Sequence, residues 1–180
     1  MIQVFDGELL TKLFHWNVSV GQEIHCDVGS DILKIAVVNR YNSNAKVVTG
    51  FVRGFGLKRG ALASSIAHDS HNVVVVGTSE EAMVKAAQMV FACRGALVVA
   101  TDDNVLVHKL PIAGLMADQD CEEAARSYSE LVDAAKRVCQ CSLSSPFMTM
   151  GFMSLLVIPQ LKIGDKGLFD AQKFQFVDLF

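Results

Sequence analysis

The sequence predicts an α/β fold with α+β character: a mixed β-sheet containing a hairpin, flanked by two main helices. Three observations carry this reading. Strand-length apolar runs are punctuated by turn residues, two stretches combine helical periodicity with end signals, and strand–helix–strand order coexists with a hairpin.

The strand-like runs come first. Residues 22–28, 31–39 and 46–52 read as strands, the first two parted by Gly29-Ser30 and the next pair by Tyr41-Asn42-Ser43-Asn44. Residues 61–67 and 72–76 add two more. Val73-Val74-Val75-Val76 lacks alternation, the pattern of a strand buried on both faces. In Thr78-Ser79-Glu80-Glu81 a hydroxyl at the N-cap and a carboxylate three residues later form a capping box. Apolar residues then recur at Met83, Val84, Ala87, Val90 and Phe91, and Arg94-Gly95 supplies a cationic last turn and a C′ glycine. Residues 96–100 and 105–109 around Thr101-Asp102-Asp103-Asn104 read as the hairpin. A second helix starts near Asp118 or Asp120. Glu122 and Glu123 in its first turn and Lys136 and Arg137 in its last complement the helix dipole. Beyond residue 145 there are short apolar pieces around Pro146 and Pro159, and a turn at Gly164-Asp165-Lys166-Gly167.

Composition narrows the function. A chain of 180 residues is one domain's worth, and at that size about 70% of the unfolded surface is buried, so a core forms without disulfides or metal. The net charge of −3 argues against a nucleic-acid footprint and a polybasic membrane patch. Hydrophobic residues make up 51% before the 13 glycines are counted, where soluble domains reach about 45–50% with glycine included. Charged residues are 19%, against about 25% typically. Such a chain either packs an unusually large core or keeps apolar faces that something else covers. No stretch approaches the roughly 18 apolar residues of a membrane span, and Met1–Asp6 lacks the basic and apolar regions of a signal peptide. Cys26, Cys93, Cys121, Cys139 and Cys141 show no repeated C-x-x-C spacing and read as reduced, mostly buried thiols of a cytosolic protein.

The densest polar cluster is His68-Asp69-Ser70-His71-Asn72, set between two apolar strands. Such groups must bond each other, the backbone, a metal or a ligand, because burying them unpaired costs free energy. As a plain turn, Asp69 and Asn72 would cap backbone amides and the histidines would face solvent. As a site, His68, Asp69 and His71 are ligand contacts or proton carriers, with Ser70 and Asn72 beside them. A metal has less support, because H-x-x-H in a turn lacks the helical register of a zincin and no third ligand is near in sequence. His15, His25 and His108 sit in bland surroundings and read as satisfied or surface histidines. Gly54-Phe55-Gly56-Leu57-Lys58-Arg59-Gly60 offers backbone amides and the cations Lys58 and Arg59 to an anion, but matches neither the dinucleotide nor the Walker spacing. An ordinary glycine-rich loop explains it equally well. The connection Leu110-Pro111-Ile112-Ala113-Gly114-Leu115-Met116 is apolar where loops are usually polar, so it packs beneath another element or against a partner.

In order, Gly54–Ala61, Ser64-Ser65-Ile66-Ala67-His68-Asp69-Ser70-His71-Asn72, Leu110–Met116, Pro146-Phe147-Met148-Thr149 and Val157-Ile158-Pro159-Gln160-Leu161-Lys162 closely resemble the C-terminal domain of bacterial-type adenine deaminase. The resemblance runs from about Asp31 to Val177 and divides the chain into residues 31–180 and an N-terminal extension, residues 1–30. Within that extension, Ile2–Leu10 is loosely similar to a strand of the small β-sandwich that precedes this domain in the family.

The resemblance implies hydrolysis of adenine to hypoxanthine and ammonia at a binuclear Mn or Fe centre in a (β/α)8 barrel. No H-x-H of that centre is present, and 180 residues cannot supply a barrel of about 250. The expectation is therefore a C-terminal domain or split subunit, inactive alone, that partners an amidohydrolase barrel in the cytoplasm. His68, Asp69, Ser70, His71 and Asn72 would face the barrel mouth or the domain interface, helping to enclose or position the purine; Lys58 and Arg59 are further substrate or interface candidates. A homo-oligomer is compatible with this reading. The alternative is a stand-alone, non-catalytic module of the same fold that binds a purine or a protein.

Overall fold

The computed structural model describes residues 1–17, 23–42, 44 and 46–179. The described elements run β1 (Ile2–Gln3), β2 (Lys12–Leu13), β3 (Ile32–Val38), β4 (Val47–Arg53), β5 (Ala61–Ser64), β6 (Val73–Gly77) and α1 (Glu80–Ala92). There follow β7 (Ala96–Ala100), β8 (Val105–Lys109), α2 (Cys121–Cys139), α3 (Pro146–Met153), β9 (Leu161–Gly164), β10 (Gly167–Asp170) and β11 (Gln175–Val177). Eight strands form one sheet in the order β2-β1-β4-β3-β6-β5-β7-β8, and β11-β10-β9 form a second, smaller one. The large sheet is mixed: β1 pairs with β4 in parallel, and its other pairs are antiparallel. This is the α/β architecture that the sequence predicts.

Alternation along the strands divides the core into two layers. Leu33, Ile35, Val37, Leu62, Val74, Val76, Leu97 and Val99 face α2, α3 and the small sheet, where Leu131, Phe147, Met150 and Ile163 meet them. The opposite face is made of Ala36, Ala61, Ala63, Val73, Val75, Val98 and Ala100. Its small side chains let α1 lie close across β5, β6 and β7 through Ala82, Met83, Ala86 and Val90. The central strands are therefore covered on both sides, which explains the unbroken valines of β6. Each such valine, leucine or isoleucine contributes about 1.5–3 kcal/mol by leaving water.

The helix ends refine the expected caps. Ser79, not Thr78, is the N-cap of α1, and its hydroxyl accepts from the Ala82 amide. Thr78 is drawn back toward β5, its amide and hydroxyl both donating to the Gly60 carbonyl. At the other end Arg94, not Gly95, takes the left-handed C′ position with φ 57°. The Gly95 amide donates to Val90 and the Arg94 amide to Phe91, the Schellman pattern. For α2, Asp120 is the N-cap through its bond from the Glu123 amide.

Three expectations change. Residues 23–28 form no strand beyond an isolated bridge from Asp27 to Ile32 (Gln22, where that run was expected to begin, lies outside the described residues). β3 already has β4 and β6 on its two sides, leaving no edge for another strand. The strand expected over 61–67 stops at Ser64, whose hydroxyl accepts from the Ile66 amide at 2.9 Å and turns the chain. The tail contains a helix, α3, that no periodicity announces: both Phe147 and Met150 are buried while Met148 is exposed, and Pro146 opens its first turn. In the turn expected at 41–44, Ser43 lies outside the described residues.

The segment before Asp31 shares this sheet and core. Ile2 and Val4 are buried, Thr11 Oγ1 donates to the Leu161 carbonyl at 2.8 Å, and Lys162 Nζ donates to the Leu9 carbonyl at 2.9 Å. No helix among the described residues is long and apolar enough to cross a membrane.

Candidate functional site

The connection from β5 to β6, residues 65–72, carries the polar cluster, and four separate segments hold it in shape. Ser65 is completely buried. Its Oγ accepts from the Ala96 amide at 3.0 Å and donates to the Gly114 carbonyl at 2.6 Å, tying the 110–116 loop to this end of the sheet. The His68 amide donates to the Gly151 carbonyl in α3 at 3.0 Å. The His71 amide returns to the Ala67 carbonyl, with His71 at φ 50°. Tyr41, just beyond β3, donates its hydroxyl to the His71 carbonyl at 3.4 Å.

Within this frame the His68 and His71 rings meet edge to face, 6.0 Å between centroids, and the His68 ring lies 4.7 Å from that of Phe152. Asp69 and Ser70 are exposed at the tip of the turn. Asn72 is only 1% exposed, and its Oδ1 has no hydrogen-bond partner. The buried Nδ1 of His71, the Nε of Arg40 and the Oγ of Ser154 are likewise unpaired. Buried polar atoms are paired in the great majority of native structures, so the unpaired atoms of the adjacent His71 and Asn72 mark this turn as a place where other groups belong. Burial pushes the His71 imidazole below its ordinary value, and the charges of His68 and Arg40 push the same way against the opposing pull of Asp69. At neutral pH His71 is thus a neutral ring offering one donor and one acceptor.

Tyr41, whose hydroxyl meets the His71 carbonyl, is exposed, as are Ile112 and Met116 of the loop tied to Ser65, Met148 of α3, and Val157 beyond that helix. Leu110 of the same loop and Phe147, Met150 and Met153 of α3 are buried. The apolar excess serves the core and the surface together.

Lys58 and Arg59 are not part of this assembly. They precede β5, at the opposite end of that strand from Ser65, and tie their loop down: Lys58 Nζ donates to the Val28 carbonyl at 3.1 Å and Arg59 Nε to the Val138 carbonyl at 2.7 Å. The glycine loop does bind an anion, but an internal one. Gly54 and Gly56, at φ 110° and 71°, donate their amides to the Asp31 carboxylate at 2.8 and 2.7 Å. His108 is a satisfied buried histidine, its Nδ1 sharing a hydrogen bond with Ser127 at 2.5 Å. Arg40 and Ser154 escape sequence reasoning, since an arginine ending a strand and a serine in an apolar tail carry no local signal.

Among the described residues no three His, Cys, Asp or Glu side chains gather in a way that could hold a metal ion. The donors of the 68–72 turn therefore do not fit a binuclear centre. What they can do is hydrogen-bond a polar planar group and exclude water around it.

Comparison with known proteins gives this turn a context. The family model described as the adenine deaminase C-terminal domain matches residues 8–175. An adenine deaminase of Methanosarcina barkeri (strain Fusaro / DSM 804) is 49% identical over 177 residues, covering 97% of this chain and 32% of that protein. That of Sulfurovum sp. (strain NBC37-1) is 44% identical over 178 residues, covering 99% of this chain and 32% of the relative. For Borreliella burgdorferi the figures are 44% over 156 residues, 87% of this chain and 28% of the relative. The chain thus spans about a third of the length of the curated relatives it matches. With the fold, the ordered motifs and these matches in agreement, the chain belongs to the adenine deaminase C-terminal domain family.

Proposed function

We propose that this chain is the closing domain of an adenine deaminase, which hydrolyses adenine to hypoxanthine and ammonia when an amidohydrolase barrel, as domain or separate subunit, completes it. One observation supports this reading above the others. Segments 64–72, 110–116 and 146–153, far apart in sequence, meet at one end of the sheet around His68 and His71.

The residues here act on binding and orientation. His71, neutral at pH 7, accepts or donates one hydrogen bond to the heterocycle; His68 is held against Phe152 and orients the neighbouring ring. Asp69 and Ser70 reach out from the turn toward the partner. Exposed Met116 and Met148, on two of these three segments, offer apolar surface that excludes water once covered. The Mn or Fe centre belongs to the barrel in this reading, in keeping with the absence of a gathered donor set among the described residues. Five free cysteines, two of them buried, fit a reducing compartment such as the cytoplasm.

The experiment is an ammonia-release assay with Mn²⁺ or Fe²⁺, using this chain alone, the N-terminal two thirds of the Methanosarcina barkeri relative alone, and the two mixed. Turnover only in the mixture is expected. Turnover by this chain alone overturns the reading. Adenine binding without any gain on mixing points instead to a stand-alone binding module.

A further inference from the structure

We infer that the groove between the end of α1 and the 110–116 loop binds a phosphate monoester carried on an aromatic body, the chemistry of a nucleoside monophosphate. The groove holds about 600 Å³ and is lined by Arg40, Tyr41, Phe91, Arg94, Pro111 and Gly114, among others.

Two arginines line it. A Cβ built on Gly114 would lie 2.0 Å from Arg40 Nη1 and 3.2 Å from the Arg94 carbonyl, so only a bare Gly114 leaves room for the Arg40 guanidinium beside the Arg94 backbone. Gly95 allows the same closeness from the other side, since its Cβ would fall 2.2 Å from Gly114 Cα. Among the described residues neither arginine has a carboxylate within 4.0 Å; the ion pairs are His25–Glu23, Lys34–Glu80 and Lys173–Asp170. Two arginines without an acid partner, both on the wall of one groove, supply the charge and the forked donors that a phosphate takes.

The Arg40 guanidinium is already fixed. Its Nη2 donates to the Ala113 carbonyl at 2.8 Å, it lies 5.1 Å from the centre of the Tyr41 ring, and its buried Nε is unpaired. A pre-set cation loses little freedom on binding. Arg94 occupies the C′ position in the left-handed region, where glycine or asparagine is usual. Keeping an arginine there incurs backbone strain, and strain of this kind concentrates at functional positions. The Schellman bonds occupy the Val90 and Phe91 carbonyls, but the C-terminal pole of α1 still disfavours an anion, so the arginine charges must outweigh it. Tyr41 is 67% and Phe91 43% exposed, flat apolar faces on which a base can stack.

Isothermal titration calorimetry on the full chain at low salt tests this with three probes: inorganic phosphate, adenosine monophosphate and adenosine. The monophosphate is expected to bind at least about tenfold more tightly than either of the others, and to weaken as salt rises. Arg94→Asn, which keeps the left-handed backbone, is expected to weaken the monophosphate about tenfold, with Arg94→Lys in between. Adenosine binding as tightly as the monophosphate, phosphate binding as tightly, no binding at millimolar concentration, or an unchanged affinity in folded Arg94→Asn would each overturn the assignment. Adenine titrated into Arg94→Asn keeps the two proposals separable, because contacts at the 68–72 turn do not involve Arg94.

Discussion

Asp31 closes over the backbone of Gly56: its Oδ1 accepts the Gly56 amide at 2.7 Å while its Oδ2 accepts that of Gly54 at 2.8 Å. Asp31 itself sits at φ 56°, a conformation that aspartate and asparagine tolerate better than most residues. The loop that resembles a phosphate cradle in sequence is therefore filled from within. Asp31→Ala removes both charge-assisted bonds and places alanine in the left-handed region, a loss of about 2–3 kcal/mol. Asp31→Asn keeps one good acceptor and the backbone preference, and loses about half as much. Urea unfolding of the two variants checks this, and a change under about 0.5 kcal/mol for Asp31→Ala would show the cradle to be incidental.

Lys162 is 0% exposed, its ammonium facing only the Leu9 carbonyl, and burial pushes it down to about 8. The folded chain thus holds this proton less tightly than the unfolded chain, whose lysine titrates near 10.4. Between about pH 8 and 10 the unfolded state binds more protons, so this residue's contribution to stability rises with pH. Compared with Lys162→Met, the native chain should gain about 2 kcal/mol between pH 7 and 10. Taking the difference cancels Cys139 and Cys141, whose thiols burial pushes up to about 11 and whose effect has the opposite sign. A pH-independent gap in denaturant unfolding would contradict this.

His71 should titrate below the ordinary histidine value of about 6.5, because burial and then the His68 and Arg40 charges disfavour its proton. A base depressed in the folded state leaves stability intact above that value and erodes it as pH falls. In an NMR titration of the imidazole resonances, Arg40→Gln should raise the His71 midpoint without reversing the burial effect. An unmoved midpoint would mean that Arg40 does not act on this ring.

Arg94→Gly relieves the left-handed strain at the C′ position of α1 and should stabilise the chain by about 1 kcal/mol, raising Tm by several degrees. Thermal unfolding measures it. Destabilisation would show that the arginine side chain supplies more to the fold than its backbone strain removes.

Much of the architecture is legible because local rules and packing agree. The all-valine run of β6, the hairpin of β7 and β8, and the charge-graded α2 each follow from a pattern that the fold leaves undisturbed. Where reading fails, a non-local partner intervenes. Thr78 would serve as a cap, but Gly60 takes its hydroxyl and passes the role to Ser79. Residues 23–28 carry strand chemistry, but β3 has no free edge to offer them. The short α3, rich in Met and Phe, lacks the polar stripe that makes a surface helix visible. For the site, the cluster at 68–72 stands out as a polar island between apolar strands. Arg40 and Ser154 do not, since only the fold shows that their polar atoms are buried unpaired. Lys58 and Arg59 look equally promising in sequence, yet β5 separates them from the histidines and backbone carbonyls occupy them.

The central claim is that the 68–72 turn contributes to purine binding in an assembled deaminase. It is tested most directly by steady-state kinetics of the reconstituted mixture with His71→Asn, a variant that keeps the left-handed backbone at φ 50° while removing the imidazole. Adenine kcat/KM is expected to fall at least about tenfold, mainly through KM, while the unfolding midpoint of the chain stays in place. Unchanged kinetics in a mixture containing correctly folded His71→Asn would contradict it.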